Sequence, residues 1–126
     1  LYPNAFAGGK ARLESVQNAV DQAKTIAARL TGEPLPYHAV PWFWSHQGAA
    51  KLQIAGLSNG HDDAVVRGDM AGEKFSVFLY RGGRLAAVET VNNAGEHMAA
   101  RRLIGAGTDV PKDVAADMSR DLKSLL

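Results

Sequence analysis

Apolar residues recur at helical spacing between Ser15 and Gly32. Val16, Ala19, Val20, Ala23, Ile26, Ala27 and Leu30 form one stripe at steps of three and four, the period of an amphipathic α-helix. Ser15 is placed to cap its start and Gly32 to stop it. From Lys51 the period shortens to two, and Lys51–Leu57, Ala64–Gly68, Lys74–Tyr80 and Arg84–Val91 read as strands. Gly82-Gly83 supplies a hairpin turn between the last two, and Ser58-Asn59-Gly60 a turn between the first two. Asn93, with Glu96 three residues on, predicts a capped helix that runs to Gly105. Pro111 opens a final helix whose Val114, Met118, Leu122 and Leu125 make a single stripe. Leu1 to Arg12 carries loop chemistry with a turn at Gly8-Gly9. The fold class is therefore α+β: an antiparallel β-meander with C-terminal helices, preceded by a long helix.

Between helix and strands lies Glu33 to Pro41, with Pro34, Pro36 and Pro41 making a stiff, extended connection. It delivers Pro41-Trp42-Phe43-Trp44-Ser45-His46-Gln47, which holds both tryptophans of the chain. In an extended segment Trp42 and Trp44 share one face and Phe43 takes the other. Phe43 is then free to anchor the segment in a core while the indoles meet a flat cofactor, a partner or a second layer of core. A domain boundary near Gly32 fits this arrangement.

The 126 residues suit a globular protein, and 14 basic against 13 acidic side chains leave a charge of +1. This balance gives no polyelectrolyte signal for nucleic acid or an anionic membrane, and no apolar run is long enough to span a bilayer. With no cysteine, disulfides, thiolate zinc sites and a cysteine-ligated cluster are excluded within the chain, which is compatible with a cytoplasmic location. His38, His46, His61 and His97 lack the spacing of a helical metal site, so no metal site is expected. Gly105-Ala106-Gly107 follows a helix and reads as its stop; no Walker sequence, nucleophile elbow or catalytic triad is present. The start of the helix at Ser15-Val16 presents free N–H groups that favour an anion or electron-rich atom.

Three stretches carry a resemblance when taken in order: Arg12-Leu13-Glu14-Ser15-Val16-Gln17-Asn18-Ala19, Pro41-Trp42-Phe43-Trp44-Ser45 and Lys51-Leu52-Gln53-Ile54-Ala55-Gly56-Leu57. Together with Val65-Val66-Arg67-Gly68-Asp69, Phe75-Ser76-Val77-Phe78 and Val91-Asn92, they make the chain similar to the FAD-dependent ferredoxin reductases of the putidaredoxin, rhodocoxin and biphenyl-dioxygenase type. The resemblance implies that 1–32 is the closing segment of an FAD-binding domain and 33–126 the C-terminal interface domain. It implies a chain beginning within a longer protein, with the nucleotide-binding glycine motifs upstream.

The implied activity of the full enzyme is NAD(P)H-dependent transfer of electrons from flavin to a [2Fe-2S] ferredoxin that supplies an oxygenase. FAD and NAD(P)H are implied for the full-length protein, with none retained by these residues alone, which are expected to be inactive. The resemblance assigns Val16 and the Ser15 helix start to the flavin pyrimidine edge, with Glu14 as a supporting residue. It puts Trp44 beside the isoalloxazine, and Trp42, Trp44 and Lys24 on the ferredoxin side. The family commonly has Asp where His46 stands, which bears on partner choice. Further implied partners are the remaining FAD and NAD domains, with a homodimer admissible through a swapped helix. The rival reading is a stand-alone α+β interaction or oligomerisation module without catalysis. The two differ in whether the long helix covers the indoles or leaves its apolar stripe exposed.

Overall fold

The structure is a computed structural model that describes residues 1–126. It contains strands β1 (Tyr2–Asn4) and β2 (Gly9–Ala11), helix α1 (Val16–Leu30), and strands β3 (Trp42–Gln47), β4 (Ala50–Gly56), β5 (Asp63–Asp69), β6 (Lys74–Arg81) and β7 (Arg84–Val91). Helices α2 (Ala94–Ala106) and α3 (Lys112–Ala116) and a 3₁₀ turn at Leu122–Leu125 follow. The fold is α+β. Strands β3 to β7 form one antiparallel sheet, ordered β3-β4-β7-β6-β5, and β1 pairs with β2 separately.

The four strands expected from period two form within one residue of their expected ends, but the simple meander does not. Strands β3–β4 and β5–β6–β7 are each joined in sequence order, but β4 pairs with β7 and not with β5, so the segment through Ser58-Asn59-Gly60 crosses the sheet instead of closing a hairpin. The β6–β7 hairpin is as read, with Gly82 and Gly83 both at positive φ, the conformation that matches strand twist. Gly56 has a different role: a Cβ there would lie 2.2 Å from the Ala86 carbonyl, so only glycine permits that approach.

One face of the sheet carries the core. Ala55, Phe78, Tyr80 and Val88 pack against Ala99, Ala100 and Leu103 of α2, with Val110, Ala115 and Leu122 closing the end. The Tyr80 hydroxyl donates to the Val110 carbonyl, and burial pushes its pKa up to about 12. Glu96 does not complete a capping box on Asn93, whose side chain makes no cap bond. It accepts instead from Arg67 Nε at 2.7 Å and from the Ser76 hydroxyl. Helix α2 passes Gly105 and ends at Gly107, which takes the left-handed conformation.

The expected last helix is broken into α3 and the 3₁₀ turn. Arg67, 4% exposed, donates to the carbonyls of Ala115, Asp117 and Arg120. Asp117 also accepts from Ser119, and Met118 faces solvent. Side-chain donors thus take carbonyls that a continuous helix would use, and the supposed single stripe never forms. Likewise, Leu1 to Arg12 is more than a loop. Asn4 accepts from the N–H groups of Phe6 and Ala7, capping a 3₁₀ turn that joins β1 to β2 through Gly8.

Candidate functional site

The start of α1 and the start of β3 meet because a small polar network ties them together. Ser15 caps α1 as expected, its hydroxyl accepting from Asn18 N at 3.1 Å. The first helical bond is Ala19 N–H to Ser15 C=O, so the Val16 and Gln17 N–H groups remain uncommitted at the helix start. Asn18 is the hub of the network. Its Oδ1 accepts from the hydroxyls of Tyr2 at 2.9 Å and Tyr37 at 3.0 Å, and its Nδ2 donates to Leu13 C=O at 2.8 Å. Gln17 Oε1 accepts from the Trp42 backbone N–H at 3.3 Å, carrying the connection into β3. Burial pushes the Tyr37 phenol up to about 12, which keeps it a donor at any ordinary pH.

The orientation of α1 is the reverse of what its stripe suggests. Polar Gln17 and Asn18 are its buried residues, whereas Val16, Ala19, Val20, Ala23, Ile26, Ala27 and Leu30 are all exposed. Val16 is 64% and Ile26 59% exposed. An apolar stripe facing away from the rest of the fold is a surface that calls for a partner.

A cavity of about 440 Å³ opens where these elements meet, lined by Arg12, Leu13, Glu14, Ser15, Val16, Pro41, Trp42, Phe43, Trp44 and Leu57. Glu14, Ser15, Val16, Trp42 and Trp44 therefore come together as neighbours, although they are up to 30 positions apart in the chain. Lys24 lies outside it, exposed further along α1. Glu14 pairs with Arg12 at 2.7 Å on an exposed surface, a contact of small energetic value. The cavity offers free N–H donors on one side and flat indoles on another. This suits an electron-rich, planar ligand.

Trp42 and Trp44 share a face as expected, with ring centroids 5.5 Å apart and planes at 27°. Phe43, however, does not anchor the segment in the core. Register pairs Trp42 with core residue Ala55 and Trp44 with Gln53, which puts the indoles on the α2 side; Phe43, opposite Ile54, remains 41% exposed. Trp42 alone of the two is covered by α2, whereas Trp44, beyond the reach of that helix, is 40% exposed. Arg101 sits over the Trp42 ring, 4.3 Å from its centroid, and His97 approaches edge-on at 5.9 Å.

His97 and Arg101 were not legible as site residues. Nothing in the local sequence marks them, and only the docking of α2 on the sheet brings them beneath Trp42. His97 is 1% exposed and neither ring nitrogen has a partner. Burial, then repulsion from Arg101 and Lys51, pushes its pKa down to about 4, so the ring is neutral near pH 7. Elsewhere no group of three or more His, Asp or Glu side chains is placed to hold a metal, and no helix is long and apolar enough to cross a membrane.

Comparison with known proteins matches residues 42–126 to the family described as Reductase C-terminal. Over 122 residues the chain is 50% identical to rhodocoxin reductase of Rhodococcus erythropolis, covering 97% of this chain and 29% of that protein. Among solved structures, it superposes with a TM-score of 0.91 on the ferredoxin reductase for the CYP199A2 system from Rhodopseudomonas palustris, at 48% identity, covering 96% of this chain and 30% of that one. The same TM-score, at 39% identity, relates it to the reductase in a covalent putidaredoxin reductase–putidaredoxin complex, over 98% of this chain and 30% of that one. The chain thus spans under a third of the length of these relatives.

Proposed function

This chain belongs to the reductase C-terminal family, and from that premise we propose that it is the C-terminal part of an NAD(P)H-dependent FAD ferredoxin reductase. Residues 1–32 close the FAD-binding domain and 33–126 form the interface domain. The observation that carries the reading is α1: its capped start opens into the indole-lined cavity while its whole apolar stripe faces outward. A self-contained interaction module would turn that stripe inward. The outward stripe supports a helix that completes its packing against preceding domains of the same polypeptide.

The cavity fits the flavin edge of FAD, on the strength of the free N–H at Val16 and the flat wall of Trp44. Bound FAD would accept two electrons from NAD(P)H as a hydride and release them singly. In balance, NAD(P)H and two oxidised ferredoxins give NAD(P)⁺, two reduced ferredoxins and one proton. Ser15 and Val16 would hold the positive end of α1 toward the flavin edge, favouring the negative charge of its reduced form. Glu14, paired with Arg12, shapes the rim beside them. Trp44 would flank the ring and limit water there, and Trp42, Trp44 and Lys24 would serve the side where a ferredoxin is received. Lys24 supplies a cation for steering an acidic partner.

The test is to isolate the native polypeptide that contains these residues and measure its length, its flavin absorbance and its NAD(P)H-dependent reduction of a [2Fe-2S] ferredoxin. A chain about three times longer that carries FAD and reduces the ferredoxin is the expected result. A native product of about this length, without flavin, would remove the reading and restore the stand-alone module.

A further inference from the structure

Trp42 lines two cavities. The first is the 440 Å³ cavity shared with Trp44 and Val16; the second, about 320 Å³, lies between α1 and α2 and is lined by Trp42 with Asp21, Met98, Arg101 and Arg102 among others. Trp44 belongs only to the first and Arg101 only to the second. Trp42 thus links the two, with the Arg101 guanidinium 4.3 Å and the Trp44 ring 5.5 Å from its centroid, and it stands between one cavity and the other.

What lies beneath the indoles holds them weakly. Gln53, the register partner of Trp44, has a buried Oε1 without a hydrogen-bond partner, and His97 below Trp42 has two such nitrogens. Neither residue fixes an indole by a directed bond. Lateral contact from Trp44 and the charge of Arg101 over the ring are left to do so, and a planar guanidinium resists both tilt and slide better than an ammonium. Arg101 forms no salt bridge, although the Asp21 carboxylate acts on it from the other wall of the second cavity, and its one side-chain hydrogen bond is to Met98 Sδ, so its placement over Trp42 is not a by-product of a direct ion pair.

We propose that Arg101 is a positioning residue for electron departure: it clamps Trp42 and, through the Trp42–Trp44 contact, holds Trp44 at the flavin cavity. This inference rests on the reductase reading. Arg101 touches neither flavin nor, in this role, ferredoxin. Its effect is on the geometry of the two indoles, and a loosened stack slows transfer to ferredoxin while leaving hydride acceptance alone.

The experiment uses the intact flavoprotein polypeptide, comparing wild type with Arg101→Met and Arg101→Lys. Three quantities are read: kcat and KM for ferredoxin reduction, the NAD(P)H–ferricyanide rate, and the difference in tryptophan emission between variant and wild type. Both variants are expected to lose about tenfold in kcat for ferredoxin, the scale of a modest misplacement, with KM and the ferricyanide rate close to wild type and a shifted emission. A loss confined to KM and restored by lysine would make Arg101 a docking charge and overturn the proposal. So would unchanged kcat or unchanged emission. If Arg101→Met fails to retain flavin, Arg101→Lys carries the test, since it keeps the charge and removes only the plane. A wild-type polypeptide without flavin sinks the reductase reading instead, and the emission difference, which needs no flavin, still reports whether Arg101 holds the stack.

Discussion

His97 is the residue whose surroundings are least like those of a free side chain. Its imidazole is sealed under Trp42 with no hydrogen bond and with Arg101 and Lys51 as charged neighbours. The folded pKa of about 4 lies below the ordinary value of 6.5, so between those values the unfolded chain binds a proton that the folded chain refuses. The stabilisation is complete above pH 6.5 and is lost as pH falls toward 4, a loss of about 3 kcal/mol from this group alone. Denaturant titrations at pH 7 and pH 4.5 should show the decline, and His97→Leu should flatten it. An identical slope in the variant would mean that other groups dominate. Asn18 gives a contrasting case. Its place in the Ser15-Val16-Gln17-Asn18-Ala19 motif was visible in the chain, but its office as acceptor for Tyr2, Tyr37 and Gln22 required residues on three other segments or turns to arrive.

At the level of elements, two helices depart from their own patterns. Helix α1 presents a good amphipathic stripe to solvent because its polar face is claimed by hydrogen bonds to Tyr37, Tyr2 and the Trp42 backbone. In the 126-residue chain, Val20→Asp with Ile26→Asp should alter stability by only about 0.5 kcal/mol, as at other exposed positions. In the intact flavoprotein the same pair should abolish flavin retention. Thermal unfolding and flavin absorbance check the two halves, and a large loss of stability in the short chain would show that the stripe is covered within it. The C-terminal segment breaks at Asp117 because Arg67 gathers its carbonyls. Arg67→Met leaves Glu96 with only Ser76 as a partner and the Ala115 and Arg120 carbonyls unserved, Asp117 C=O keeping the Arg120 N–H, so it should cost about 3–5 kcal/mol and release 115–122 to hydrogen exchange. Adding Glu96→Gln should recover part of that loss. Equal stability in both variants would show that no unpaired carboxylate penalty was involved.

For the molecule as a whole, the division is between a firm sheet-and-α2 core and a first segment whose apolar stripe is exposed. On the proposed reading, the 126 residues alone, supplied with FAD, NADH and a [2Fe-2S] ferredoxin, should show no NADH-dependent reduction of the ferredoxin, because the cavity would supply only one wall of a flavin site and no nicotinamide site. Measurable turnover would refute this. The strand positions, the Ser15 cap, the Gly82-Gly83 hairpin and the shared face of Trp42 and Trp44 were set by the sequence itself, since each depends on local periodicity or on what one backbone conformation allows. Strand order, the covering of Trp42 by α2, the burial of His97 beside it and the broken C-terminal helix were decided only by tertiary structure. These depend on competition between distant groups for the same surface or carbonyl. The outward stripe of α1 joins the two: its period is written in the chain, but which of its faces is buried was settled by where Asn18 and Gln17 found their partners.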